Sequence, residues 1–148
     1  MNPAFSGRVV AISISDRKGV KKQNVDQAEL LVDHGLEHDA HAGPWHRQVS
    51  LLGIESIRKI REKGLDVAAG DFAENITTEG VRLYELPVGA RFRIGEGALL
   101  EVTQIGKECH HRCAIFQQVG DCVMPREGIF VRVLAGGTIR PCDRILPA

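Results

Sequence analysis

Short apolar runs broken by glycine and polar turns dominate the hydrophobic pattern of the chain. Residues 8–15 (RVVAISIS) are rich in β-branched side chains with partial alternation, and they lead into a polar stretch at 16–22, which predicts a strand followed by a loop. Further strands are predicted at 48–52, 72–78, 90–94, 99–105, 129–134 and 140–146. Turn-bounded strands at this spacing favour a barrel or sandwich with few helices.

Helical spacing is clear in one segment. Ile54, Ile57 and Ile60 recur every three residues with charged residues between them, and Gly64 suits the end of a helix. Residues 26–32 have either helical or strand character, and residues 35–46 look irregular. We therefore predict a mainly β fold with a few short helices, organised as one barrel-like domain over residues 1–148.

Composition narrows the class of protein. Apolar residues make up 43% and charged residues 26% of the chain, as in ordinary globular domains. Nineteen Lys and Arg balance nineteen Asp and Glu, so no general attraction to nucleic acid or to an anionic membrane is expected. The chain has neither a signal-like N-terminus nor an apolar run long enough to span a bilayer, which makes a cytoplasmic location the expectation.

All four cysteines lie in the last third of the chain: Cys109, Cys113, Cys122 and Cys142. In a cytosolic protein they are interpreted as thiols or ligands, because a reducing compartment does not favour disulfides. Free cysteine also commonly serves as a small buried apolar residue, and this interpretation applies most to Cys142 and then to Cys122.

The segment 109–113 (CHHRC) concentrates reactive groups. A thiol near Lys107 and Arg112 has its thiolate form favoured, and a thiolate can attack sulfur or bind a soft metal. A structural zinc site using Cys109, His111 and Cys113 stays open as an alternative, although the second cysteine pair of ordinary zinc modules is missing.

Three further groups of polar residues are candidates for ligand contacts. Four cations at positions 17–22 form either a solvated loop or a phosphate grip, and the three histidines with Asp39 at positions 38–46 form either a structural segment or a metal or acid–base site. Asp71, Glu74 and Asn75 either shape a turn or bind a polar ligand. Phosphate-binding, dinucleotide-binding and serine-hydrolase motifs do not occur.

Several of these segments together resemble the MOSC family, named after the C-terminal domain of molybdenum cofactor sulfurases. They are residues 35–43 (GLEHDAHAG), 48–52 (QVSLL), 70–77 (GDFAENIT) and 102–104 (VTQ) before Cys109, with 128–134 (GIFVRVL) as a closing strand. Cys113 and Cys122 are similar to features of the small, stand-alone bacterial members. Two departures stand out: His38 occupies a position that is usually glycine, and Cys142 occupies a usual Gly-Asp turn, where a positive φ would strain it.

The resemblance implies a MOSC-like β-barrel in which Cys109 either carries sulfur as a persulfide or ligates the molybdenum of a pterin cofactor. It implies a catalytic and metal-binding role for Cys109. Residues expected to contact the cofactor are Lys18, Lys21, His41, Glu74, Asn75, Lys107 and Arg132.

The partners implied are molybdenum cofactor (molybdopterin) or a sulfur-donor protein. The sequence shows no pyridoxal phosphate segment, so no pyridoxal phosphate is expected within the chain. Besides possible sulfurase-like transfer, two alternatives remain open at this point, a non-catalytic cofactor carrier and a zinc-stabilised structural module.

Overall fold

The computed structural model describes residues 5–17, 22–106 and 124–148. These residues contain two helices, α1 (Ile54–Arg61) and α2 (Met124–Glu127), and a 3₁₀ turn (Leu83–Glu85). The strands among them are β1 (Gly7–Ile14), β2 (Gln23–Val25), β3 (Ala28–Leu31), β4 (Gly35–Leu36), β5 (Val49–Gly53), β6 (Ile76–Glu79), β7 (Arg91–Ile94), β8 (Ala98–Ile105), β9 (Ile129–Ala135), β10 (Gly137–Ile139) and β11 (Arg144–Pro147).

Seven strands close into a mixed barrel in the order β1-β11-β7-β8-β9-β5-β6, with β6 returning to β1. Strands β5 and β6 are parallel and the other neighbours in the ring are antiparallel. Strand β2 pairs with the last three residues of β1, and β10, β3 and β4 form a small second sheet. The predicted mainly β, barrel-like fold with few short helices is confirmed.

Alternation along the strands fills the barrel. On β8, Ala98, Leu100 and Val102 are almost fully buried, whereas the residues between them are partly exposed. A strand places successive side chains on opposite faces, so one face supplies the apolar interior. The outer faces of β8 and β9 carry polar residues such as Glu101 and Arg132.

Helix α1 lies against the outside of the barrel. Its three isoleucines are buried and form a second apolar cluster with Leu52 and Phe130. The predicted helix is therefore confirmed, although it ends at Arg61, before Gly64, whose φ of +95° turns the chain away. None of the helices among the described residues is both long and apolar enough to cross a membrane.

Residues 72–75 and 140–143 were predicted as strand, and the structure corrects both, because β6 begins only at Ile76 and β11 only at Arg144. The side chains of Glu74 and Asn75 bind backbone groups, which offers the chain an alternative to the sheet ladder. Residues 26–32, left open between helix and strand, contain β3.

The two departures from the family pattern both have left-handed backbone. His38 has φ +71° and Cys142 has φ +77°, a region that glycine enters without steric cost. The strain expected at Cys142 if its φ were positive is therefore present, and His38 carries the same strain inside the histidine-rich segment.

Candidate functional site

The segment rich in histidine, residues 37–47, is here called the histidine loop, and it contacts two strands of the barrel. Near its start, Ala40 N–H donates to the carbonyl of Ser15, just beyond β1, at 2.8 Å. Near its end, the carbonyl of His46 accepts a hydrogen bond from the hydroxyl of Thr103 on β8. The loop is thus fixed at both ends by strands of the barrel.

A buried ion pair anchors the first end of the loop. Lys22 Nζ lies 2.8 Å from Asp39 Oδ1, and both side chains are 0% exposed. The same ammonium lies 3.1 Å from Ser15 Oγ and 3.0 Å from His41 Nδ1. Backbone N–H groups of Ser15 and His41 also donate to the Asp39 carboxylate, each at 3.1 Å.

These contacts determine the charge state of Asp39. Burial on its own would raise the pKa of this carboxyl group, but hydrogen bonds from Lys22 and from the N–H of Ser15, with the Lys22 charge and the Asn75 side chain, hold the pKa below its usual range. Asp39 is therefore ionised at neutral pH and balances the charge of Lys22.

Asn75 links this pair to the barrel. Its Nδ2 donates to the carbonyl of Ser13 at 3.2 Å, and its Oδ1 accepts from the N–H of Ser50 at 3.0 Å. Asn75 is completely buried and lies between β1 and β5, so all of these contacts are internal. It contributes to the site by supporting Asp39 and the strand ends.

Glu74 closes the neighbouring loop, residues 70–75, here called the Glu74 loop. Its carboxylate accepts from the N–H groups of Gly70 and Phe72, at 3.0 and 3.2 Å, and from the hydroxyl of Thr77 at 2.8 Å. Burial raises the pKa of Glu74 above its usual range, and these hydrogen bonds limit the rise. The N–H of Lys22 donates to the carbonyl of Gly70, so Lys22 connects the Glu74 loop with Asp39 of the histidine loop.

The other end of the histidine loop lies beside Gln104 near the end of β8. Gln104 Oε1 lies 3.1 Å from both His46 Nε2 and Arg47 Nε. The guanidinium carbon of Arg47 lies 5.1 Å from the ring centroid of Phe130 on β9. This end of the loop therefore rests on the strand that runs into the segment containing Cys109.

A surface cavity of about 430 Å³ adjoins this end of the loop, and Trp45, His46, Thr103 and Arg132 are among its lining residues. Arg132 is half exposed and lies 2.6 Å from Glu101, which also pairs with Arg91 at 2.9 Å. One carboxylate thus faces two guanidinium groups, but Arg91 does not line the cavity and Asp33 does, so the charged residues of the lining are one guanidinium and two carboxylates.

The site residues predicted from sequence fall into three groups. Cys109, Lys18, Lys21 and Lys107 lie outside the described residues, as do His111, Cys113 and Cys122. The structure brings His41, Asn75 and Glu74 to one polar cluster around Lys22 and Asp39, whereas Arg132 lies at the cavity near the far end of the histidine loop.

The central pair of this cluster was missed from sequence. Lys22 was noted only as one cation of a loop and Asp39 only as a neighbour of histidines, and no sequence signal pairs two residues that far apart. The three histidines of the loop do not gather: His38 is exposed beside Glu37, and His46 binds Gln104. Among the described residues, no group of three or more His, Cys, Asp or Glu can hold a metal ion.

Comparison with known proteins agrees with this architecture. The family model of the MOSC domain matches residues 37–146, well over half of the chain. A search of curated proteins finds no match. The chain belongs to the MOSC domain family, which is associated with molybdenum cofactor-related function.

Solved structures show the same fold at low identity. The YuaD protein from Bacillus subtilis superposes with a TM-score of 0.81 at 19% identity, covering 98% of this chain and 97% of that one. YiiM from Geobacillus stearothermophilus gives 0.71 at 21%, covering 96% and 75%, and YiiM from Escherichia coli gives 0.63 at 20%, covering 99% and 70%. At these identities the likeness concerns the fold alone.

Proposed function

We propose that this protein uses the Cys109 thiolate either to carry sulfur or to ligate molybdenum in a pterin cofactor. The single observation that carries the proposal is the path of the histidine loop. It starts at the buried Lys22–Asp39 pair and ends on Gln104, five residues before Cys109. The loop thus connects a rigid polar cluster with the strand from which the cysteine segment departs.

Sulfur transfer needs no group beyond the thiolate and a donor. The Cys109 thiolate attacks the outer sulfur of a donor persulfide, a new S–S bond forms at Cys109, and the donor leaves as its own thiolate. The product is a Cys109 persulfide. An acceptor thiolate then attacks its outer sulfur, and Cys109 leaves as the free thiolate. Lys107, two residues away, favours the thiolate that starts the reaction.

The described residues fit the flat ring of a pterin cofactor better than its anionic part, because Asp33 and Glu101 line the same cavity as Arg132. The cavity at the end of the histidine loop has the volume of a small-molecule site, and its walls offer the indole of Trp45, the ring of His46 and the guanidinium of Arg132. A flat heterocycle suits the aromatic wall, whereas a phosphate needs cations beyond Arg132, because Arg132 is already paired with Glu101. When bound, the cofactor supplies a molybdenum centre that a soft thiolate can ligate.

We further propose Lys18, Lys21 and Lys107, with Arg132, as the cations that hold the phosphate, and His41 as a contact of the pterin. Glu74 and Asn75 are fully buried and their described hydrogen bonds are internal, so their part in binding is to shape the loops beside the site. The proposed setting is the cytoplasm, where a thiol stays reduced.

The test compares wild type with Cys109→Ala, using Cys142→Gly as the matched control. Cys142 is an exposed free thiol at a strained backbone position, so its replacement by glycine preserves the fold and leaves Cys109 in place. Intact mass spectrometry follows incubation with glutathione persulfide, and molybdenum and pterin analysis follows incubation with molybdenum cofactor.

We expect wild type and Cys142→Gly to gain a sulfur atom or to retain cofactor, and Cys109→Ala to do neither. The species found decides between persulfide carrier and cofactor ligand. Equal behaviour of all three proteins would remove Cys109 from the function. Zinc present in wild type, with unfolding on chelation, would support the structural metal module instead.

A further inference from the structure

The two carboxylates that line the cavity of about 430 Å³ are engaged in different ways. Glu101 Oε1 lies 2.6 Å from Arg132 Nη2, and its Oε2 lies 2.9 Å from Arg91 Nε, so both of its oxygens are paired with cations. Among residues 5–17, 22–106 and 124–148, no lysine or arginine pairs with Asp33. The lining therefore keeps one carboxylate that can accept hydrogen bonds from a ligand.

The buried side chain of Gln48 fixes the orientation of the Asp33 carboxylate. Gln48 Oε1 accepts from the N–H of Val133 at 2.9 Å, and a backbone N–H can only donate. The amide cannot be turned round, so its Nε2 donates to Asp33 Oδ1 at 3.0 Å. Because Gln48 is only 1% exposed, it holds the carboxylate from inside the protein. Within the described part of the chain, Asp33 Oδ2 has no hydrogen-bond partner.

The backbone at position 33 does not by itself require aspartate. Asp33 has φ +53°, in the left-handed region that glycine, asparagine and aspartate enter most readily, and its N–H donates to the carbonyl of Val133 at 3.2 Å. Asparagine suits the same turn and can accept the same hydrogen bond from Gln48. Aspartate adds a second acceptor oxygen and a negative charge.

Apolar side chains supply another part of the cavity wall. Pro44, Trp45 and Val88 line it, and Trp45 and Val88 are 38% and 64% exposed. Apolar surface beside one fixed carboxylate suits a flat ring that has N–H groups on its edge, because the faces of the ring pack while the edge donates hydrogen bonds.

We propose that Asp33 binds the amino edge of the pterin and makes the cavity selective for a 2-amino-4-oxopyrimidine ring. The inference rests on the proposed function, which supplies the pterin. The 2-amino group and the neighbouring ring N–H are donors on one edge of that ring, and a carboxylate accepts from both. Oδ2 accepts from the amino group, and Oδ1 accepts from the ring N–H with the lone pair that Gln48 leaves free.

Lumazine is the analogue that isolates this contact. It has the ring system of pterin with a carbonyl in place of the 2-amino group, so an oxygen of the ligand would face the Asp33 carboxylate. Two acceptors that face each other share no hydrogen bond. A site built to bond an N–H group therefore rejects the analogue that lacks it.

The first experiment titrates pterin and lumazine separately into ligand-free wild type and follows the backbone amide signals by two-dimensional ¹H–¹⁵N NMR. We expect pterin to shift the signals of Asp33, Trp45 and Val88, which line the cavity. We expect it to bind at least about tenfold more tightly than lumazine, the difference typical of one hydrogen bond to a charged group. Equal affinities, shifts confined to other residues or no binding of pterin would each overturn the inference.

The second experiment repeats both titrations with Asp33→Asn. The asparagine oxygen must accept from Gln48 Nε2, so its amino group takes the place of Oδ2. A donor at that place opposes the amino group of pterin and suits the carbonyl of lumazine. We expect the ratio of the two dissociation constants to change at least about tenfold in favour of lumazine.

Asp66→Asn is the matched control, because it removes the same charge at an exposed residue that does not line the cavity. It should leave the ratio of the dissociation constants as in wild type. An unchanged ratio in folded Asp33→Asn would show that Asp33 serves the turn alone and would refute its role in recognition. The wild-type titrations need no variant, so they decide the matter even if Asp33→Asn does not fold.

Guanosine distinguishes two sources of the same edge, since its base contains the same 2-amino-4-oxopyrimidine ring. Weaker binding of guanosine than of pterin would support a pterin as the occupant. Binding of guanosine at least as tight would assign the cavity to a guanine nucleotide and overturn the pterin.

The titrations are independent of the Cys109 experiment, because they involve neither the thiol nor molybdenum. Selectivity for pterin over lumazine, together with a Cys109 that takes up no sulfur and retains no cofactor, would support Asp33 and refute the proposed function. Sulfur uptake or cofactor retention through Cys109 without that selectivity would refute the role of Asp33 alone.

Discussion

Two buried carboxylates in adjacent loops are stabilised by different means. Asp39, in the histidine loop, pairs with the Lys22 ammonium, and its pKa is lowered. Glu74, in the Glu74 loop, is held by two backbone N–H groups and a hydroxyl, and its pKa is raised by burial. Among residues 5–17, 22–106 and 124–148, no cation pairs with Glu74.

The difference in partners gives the two carboxylates different roles in their loops. Neutral donors around Glu74 only close a turn, and the carboxylate can stay buried without engaging any other group. The ion pair at Asp39 has a third partner, His41. The pair therefore helps to hold in place a side chain that is partly exposed. A charge pair is the more demanding solution, because both ions must leave water.

The largest effect is expected from removing the cation. Lys22→Met leaves Asp39 as an uncompensated buried charge, and we expect a loss of about 3–5 kcal/mol in the free energy of unfolding, measured by urea denaturation at pH 7. The double variant Lys22→Met/Asp39→Asn should recover a large part of this loss. Equal stability of the single and double variants would show that the pair is not what stabilises this loop.

An intermediate effect should distinguish the two carboxylates by pH. The lowered pKa of Asp39 gives stability that is present above about pH 4, the usual unfolded value, and is lost as the pH falls through the folded value. The raised pKa of Glu74 makes the free energy of unfolding change with pH in the opposite direction. Its contribution is present below about pH 4.3 and is lost as the pH rises through the folded value.

Urea denaturation of Asp39→Asn and Glu74→Gln between pH 3 and 8 measures both slopes. The advantage of wild type over Asp39→Asn should grow with rising pH and then level off. Its advantage over Glu74→Gln, about 1–3 kcal/mol at low pH because an amide cannot accept from all three donors, should shrink with rising pH. Slopes of the same sign would contradict the contrast between the loops.

The smallest effect concerns the backbone beside each carboxylate. His38 precedes Asp39 with φ +71°, and Ala73 precedes Glu74 with φ +62°. Glycine relieves the left-handed strain but loses more entropy on folding, so we expect His38→Gly and Ala73→Gly each to stabilise by up to about 1 kcal/mol. Thermal unfolding measures this. A loss of stability at either position would mean that its side chain contributes more than its strain costs.

Local sequence patterns predicted most of the fold but little of the candidate site. The isoleucines of α1 and the runs that became β1, β5, β8 and β9 were predictable, because their periods of 3.6 and 2 record which face is buried. The false strand at residues 72–75 failed because Glu74 and Asn75 bind backbone groups that only the folded chain supplies. His41 and Asn75 were candidates, but their shared contact with Asp39 was not visible.

By itself, the sequence determined a mainly β barrel with an outer helix and a histidine-rich loop. The spacing of apolar residues within each short segment already indicates which face of the element is buried. Only the tertiary structure decided that Lys22 meets Asp39 and His41, and that the loop ends on Gln104. Those pairings depend on strands that close a barrel, which brings together side chains far apart in the chain.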